Sequence, residues 1–220
     1  MQSSFSDLEY AAKKKQTRRD RFLSEIEAVT PWPSLLNVIA PHYPVSGKRG
    51  HPPIGLERIL RMYIVQQCFG FSDEGTEDAV YDSQAIRRFV GIDLNREAAP
   101  DATTLLKFRH LLEAHHLTES IFDAINAHLA ERGLFLREDT IVDATLIAAP
   151  PSTKNKERAR DTEMHQTKKG KQWHFGMKVH IGVDAQSGLV HTLIGTATNV
   201  HDVNQAQALL HGDETDVFGD

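Results

Sequence analysis

Two aspartates stand where chemistry could be done. Asp143 interrupts the apolar, β-branched run at residues 140–147, and Asp220 follows Gly219 after the apolar pair Val217-Phe218. Between them the pattern reads as a β-hairpin, so both carboxylates are expected at the ends of buried strands of one mixed sheet. Metal-dependent phosphoryl transfer needs that arrangement. Mg²⁺ or Mn²⁺ takes hard carboxylate oxygens. Two such ions commonly sit about 3.5–4 Å apart, one activating the attacking oxygen and one stabilising the leaving oxygen. A shared aspartate can bridge both, and Asp143 suits this because a carboxylate in an apolar strand is costly unless it meets a metal or a donor. Two alternatives remain open: Asp143 on the solvent face of an edge strand, and Asp220 as an ordinary acidic chain end. A complete site of this kind usually needs a third carboxylate.

Cationic residues form two clusters. Lys13, Lys14, Lys15, Arg18, Arg19 and Arg21 lie near the start, and Lys168, Lys169, Lys171 and Lys178 lie around Trp173 and His174. The formal net charge is −5, but residues 1–50 carry eight Lys/Arg against five Asp/Glu and residues 150–180 eight against three. These segments sum to +8 and the remainder to −13, a distribution that permits a nucleic-acid partner where the pooled charge argues against one. The second cluster could grip phosphates and stack a base, or could be a solvated loop beside a core tryptophan. His201-Asp202 could ligate a metal, although Asp202 also fits a helix cap. His110, His115 and His116 lack the spacing of a zinc site. There is no G-x-x-x-x-G-K-[ST], G-x-S-x-G or C-x-x-C motif, which leaves nucleotide-hydrolase, serine-hydrolase and zinc-finger readings without support.

The elements that must position these groups change character near Gly133. Residues 1–133 read as helical. Ser6-Asp7-Leu8-Glu9 fits a capping box, and Phe22, Leu23, Ile26 and Val29 recur at helical spacing before Pro31, Pro33, Pro41 and Pro44 break the pattern. Helices are expected over 54–69, 72–82 and 83–90, after an Asp101 cap, and from a Thr118 cap to Gly133. Cys68, the single cysteine, excludes an intramolecular disulfide and reads as a small core residue of the 54–69 helix.

Residues 134–220 read as strands. A buried strand at 140–147 leads into a charged insert at 150–171, expected to be flexible. Period-two alternation follows, with Phe175, Met177, Val179, Ile181 and Val183 on the face expected to be buried, and His174, Gly176, Lys178, His180 and Gly182 opposite. A turn at 184–188, a returning strand, a short helix from Asp202 and a strand at 216–220 complete an α+β order. No apolar run approaches the roughly 18 residues of a membrane span, and no signal-peptide core opens the chain. A cytoplasmic protein is expected.

The chain resembles bacterial insertion-sequence transposases of the DDE type, in the insertion-sequence-five group. The resemblance rests on Ser4-Phe5-Ser6-Asp7-Leu8-Glu9-Tyr10, Pro100-Asp101-Ala102-Thr103-Thr104 with Phe108-Arg109-His110-Leu111-Leu112-Glu113, Val142-Asp143-Ala144-Thr145, the stretch from Trp173 to Asp184, and Asn199-Val200-His201-Asp202. It implies a helical N-terminal DNA-binding domain ahead of a partial ribonuclease-H-like catalytic domain. It also implies Mg²⁺ or Mn²⁺ on Asp143 and Asp220, and strand transfer at the terminal repeats of a mobile element, with double-stranded DNA and a homodimer as partners. The family's Gly-Tyr after the second aspartate and its later helix with the third carboxylate do not follow Asp220. A C-terminally truncated member is therefore expected. The alternative is a non-catalytic protein that occupies element ends and represses transposition.

Overall fold

The computed structural model describes residues 15–45, 53–135, 138–150 and 160–219, and divides into two compact units, Met1–His128 and Leu129–Asp220. The Ser6 capping box lies outside the described residues. A capping box does form at Thr17, whose Oγ1 accepts from the Asp20 amide at 3.1 Å while Asp20 Oδ2 accepts from the Thr17 amide at 2.9 Å. These reciprocal bonds satisfy free amides at the start of α1 (Arg18–Val29).

The helices that follow are α2 (Trp32–Ile39), α3 (Leu56–Phe69), α4 (Asp73–Asp82), α5 (Gln84–Val90), α6 (Ala102–Ala114) and α7 (Leu117–Glu131). Each boundary has a local cause. Gly70 and Gly91 end α3 and α5 in the left-handed region, at φ +64° and +78°, and Asp101 Oδ1 accepts from the Thr104 amide at 2.6 Å to cap α6. α7 begins at Leu117, so Thr118 lies within its first turn rather than capping it. The first unit's core is built from Leu35, Ile39, Ile59, Leu60, Met62, Val65, Val80, Ile86, Leu105 and Leu112, each at most 1% exposed. Cys68 is not among them: it is exposed on α3. Partial burial nevertheless pushes its thiol pKa up, opposite to what an activated thiolate needs.

The second unit is a five-stranded mixed sheet: β1 (Asp139–Ala148), β2 (His165–Lys169), β3 (Gln172–Asp184), β4 (Val190–Ala197) and β5 (Asp216–Phe218). β1 pairs antiparallel with β3 and parallel with β5, while β4 and β2 pair antiparallel with successive stretches of β3. A helical region followed by this sheet is the α+β order of a partial ribonuclease-H-like fold. Within the span read as a flexible insert, residues 165–169 form a strand, because His165 to Lys169 pair with Gly176 to Gln172 across the Gly170 turn. Residues 151–159 lie outside the described residues.

The faces of β3 also differ from the alternation pattern. Phe175 is buried as expected, but beyond it the buried positions are Gly176, His180, Gly182 and Asp184, on the face expected to be polar and open. The segment from α8 (Val203–Ala206) into the 3-10 turn at Gln207–Leu209 packs there. Gly182 makes this possible, since an added Cβ would overlap the Leu209 carbonyl oxygen and stand 2.8 Å from His191 Cε1. On the other face Val179, Ile181 and Val183 are half-buried, and Ile141, Ile147, Leu193 and Phe218 are 40–55% exposed.

Gly182→Ala is expected to lower stability by about 1–3 kcal/mol, the usual range for forcing an extra carbon into a packed site. Urea denaturation followed by circular dichroism measures it. An unchanged midpoint would show that the 3-10 turn moves away from β3 without penalty.

Candidate active site

Asp143 sits on β1, the strand flanked by both β3 and β5. Its register partner on β3 is Ile181, which places it among the half-buried apolar positions. The residue itself is exposed, and its Oδ1 accepts from the Ala144 amide at 2.6 Å. One carboxylate oxygen is thereby oriented, on a rigid ladder rather than on a loop.

β5 is held beside β1 by short-range polar bonds. The Thr215 amide donates to Glu138 O at 2.6 Å, and the Asp216 amide to Asp139 Oδ1 at 3.1 Å. Glu214 adds a buried clasp: its oxygens accept from the His211 amide at 2.6 Å, the Gly212 amide at 2.8 Å and Thr140 Oγ1 at 3.2 Å. Burial would raise the Glu214 carboxyl, but these backbone amides and His211 outweigh it and hold the group below the ordinary carboxylate value. The clasp fixes the parallel register Ile141 to Phe218, and Gly219 then lies so close to β1 that a Cβ there would stand 2.8 Å from Val142 Cγ2. Asp220 lies outside the described residues.

As a hard, oriented, solvent-facing carboxylate, Asp143 fits an Mg²⁺ or Mn²⁺ ligand. Among the described residues no group of three His, Cys, Asp or Glu side chains that could hold a metal ion comes together.

Next to Asp143 is a small cavity of about 110 Å³ lined by Val142, Asp143, Ala144, His180, Asp202, Val203, Ala206 and Leu209. His180 is 1% exposed. Its Nε2 shares a hydrogen bond with Thr196 Oγ1 at 2.9 Å, and its Nδ1 stands 3.6 Å from Asp202 Oδ1. Asp202 makes no side-chain cap for α8. Its carboxylate instead accepts from Lys178 Nζ at 2.8 Å, and the same ammonium donates to Val200 O at 2.8 Å. Lys178, read from the sequence with the DNA-gripping lysines, is thus tied into the fold with its side chain 13% exposed. The network escaped the sequence reading because its members are spread over β3, β4 and α8; the one local signal was the Asn199-Val200-His201-Asp202 segment.

The remaining cationic candidates fall on each unit separately. Lys15, Arg18 and Arg19 are exposed in the first, with Arg19 Cζ 5.5 Å from the Phe69 ring centroid. Lys13 and Lys14 lie outside the described residues. Lys15 also lines a cleft with Arg58, Arg61 and Arg88, but Asp20, Glu27 and Glu57 share it, and the field there is mixed. Lys168, Lys169 and Lys171 are exposed around the β2–β3 turn of the second unit.

Comparison with known families gives two matches. Residues 10–111 match a family described as Transposase domain (DUF772), and residues 135–220 match one described as Transposase DDE domain. The two matches lie in tandem along the chain and together support a DDE transposase. No solved structure matches it, and no helix among the described residues is long and apolar enough to cross a membrane.

The His180 network has a pH signature. Burial, the dominant influence, holds the imidazole below its ordinary value; Asp202 opposes the shift and Lys178 reinforces it. The folded state therefore prefers neutral His180, and the unfolded chain takes up this proton first as pH falls. Stability from this site is full above about pH 6.5 and declines as pH drops from there toward the lower folded value. Denaturation midpoints measured on either side of about pH 6.5 are expected to fall on the acid side, and less in His180→Gln than in wild type. An identical pH slope in the variant would remove His180 as the cause.

Proposed function

We propose that this chain, with a transposase domain ahead of a transposase DDE domain, serves DNA transposition by binding the terminal repeats of an insertion element of the insertion-sequence-five group and cutting and joining DNA there. The observation that carries the reading is the oriented carboxylate of Asp143 on the strand between β3 and β5. In this proposal Asp143 and Asp220 hold a divalent ion, Mg²⁺ or Mn²⁺. Asp220 follows in sequence the glycine that abuts Val142, next to Asp143. The bound ion would supply Lewis acidity to a phosphodiester and to the attacking hydroxyl.

The chain's own groups would do the binding and orientation. Lys168, Lys169 and Lys171 would neutralise backbone phosphates from the second unit, and Lys13, Lys14, Lys15, Arg18 and Arg19 from the first. Lys178, His180 and Asp202 would keep the α8 segment packed beside β1. In the cleavage step water attacks phosphorus, the bond to the 3′-oxygen breaks, and a 3′-hydroxyl and 5′-phosphate result. In joining, that 3′-hydroxyl attacks a target phosphodiester and displaces another 3′-oxygen. Two element ends would be served by a pair of chains.

Asp143→Asn is expected to reduce Mg²⁺- or Mn²⁺-dependent nicking of terminal-repeat DNA at least about 100-fold while leaving salt-sensitive DNA binding intact. Gel analysis of end-labelled substrate reads the first, and anisotropy titration across salt concentrations the second. Undiminished cleavage by the variant would defeat the assignment. Binding to end DNA with no metal-dependent cleavage by the wild type would favour a protein that occupies element ends and represses transposition.

A further inference from the structure

The β2–β3 hairpin presents a combination that the phosphate-binding role does not use. Trp173 is 67% exposed, the largest apolar side chain in the chain left in water to that degree. Its register partner on β2 is Lys168, the next pair is Lys169 with Gln172, and Gly170 and Lys171 form the turn between them. A broad π surface thus lies directly across from the exposed Lys168, with Lys169 and Lys171 exposed at the adjoining turn. Exposing an indole is unfavourable, and nothing about strand pairing requires it at this position.

The hairpin is also fixed to the sheet. Phe175, 9% exposed, anchors its base under Arg160, whose Cζ is 5.4 Å from the ring centroid. Thr198, just beyond β4, donates its hydroxyl to the His165 carbonyl at the start of β2. The tip is therefore carried on a continuous β3 whose far half faces Asp143.

The geometry points to Trp173 as a stacking platform for an unpaired nucleobase, with Lys168, Lys169 and Lys171 holding the phosphates on either side. Duplex DNA offers phosphates but keeps the faces of its bases stacked. A base that has left the helix, or lies in a single-stranded stretch, offers both an open face and flanking negative charge. This rests on the proposed DNA-binding function and narrows its substrate to DNA with unpaired nucleotides near the reacting phosphate. Trp173 lies eight positions along β3 from Ile181, the partner of Asp143, a span of no more than about 26 Å at roughly 3.3 Å per residue. At about 3.4 Å per nucleotide step, the unpaired base would lie within about eight nucleotides of a phosphate at Asp143.

The test compares a blunt terminal-repeat duplex with the same duplex carrying a short single-stranded gap, using the full chain and anisotropy of a terminal dye. Wild type is expected to bind the gapped DNA about tenfold more tightly, with quenching of Trp173 emission against the constant background of Trp32. Trp173→Ala should abolish the preference and leave duplex affinity within about twofold, because the side chain is exposed and the lysines remain. Trp173→Phe should retain most of the preference. The combined change Lys168→Ala, Lys169→Ala and Lys171→Ala should weaken both complexes and flatten the salt dependence. Gap preference unaltered in Trp173→Ala, or duplex binding by wild type with no gap preference, overturns the role of Trp173 alone. Failure of wild type to bind either DNA overturns the DNA-binding function with it.

Discussion

The antiparallel ladder between β1 and β3 is the constraint on which the second unit depends. It runs without interruption from Thr140 with Asp184 to Ala148 with Gly176, so each position on β1 has a defined neighbour and a defined face. A slip of one residue would send every side chain to the opposite face. Asp143 would then change places with Ala144, and the carboxylate would face the packed α8 segment instead of solvent. β5 adds to this ladder on the other edge of β1 through only three paired positions. The Glu214 clasp and the Glu138 and Asp139 acceptors compensate for that short strand by fixing where it starts.

The two faces of the sheet are covered by different means. On one, small and polar residues allow close approach: Gly182 admits the Leu209 carbonyl, and the polar atoms of His180, Lys178 and Asp202 satisfy each other across β3 and α8. Buried polar groups are tolerable only when so paired. On the other face branched side chains form an apolar surface that remains largely open, with Asp143 set within it.

The helical unit relies on the same device at a different place. Arg61 on α3 bonds Glu57 at 2.9 Å and pairs with Glu27 of α1. It also donates to the Phe89 carbonyl at 3.2 Å and lies 4.0 Å from the Trp32 ring centroid. One guanidinium thus joins four helices through planar, directional contacts that a lysine would not reproduce. Asp73 performs a smaller version, accepting from Gln66 at 2.7 Å and Arg109 at 2.9 Å. These bonds settle how the apolar stripes of short helices meet, which periodicity alone leaves open.

The sequence by itself determined most of the elements and their boundaries, and the strand that bears Asp143. Those features are written in short-range terms: capping residues, terminal glycines and the switch from helical spacing to alternation all act within a few positions. Tertiary structure decided what depends on distant partners. It turned the Gly- and His-bearing side of β3 inward because α8 and its 3-10 turn returned to cover it, and it drew residues 165–169 into a strand because β3 was long enough to pair them. It exposed Cys68 and Trp173, which an apolar residue count assigns to the interior, and it tied Asp202 to Lys178 instead of to a helix cap. Side-chain type limits what a residue can do; the neighbours that arrive from elsewhere in the chain decide which of those things it does.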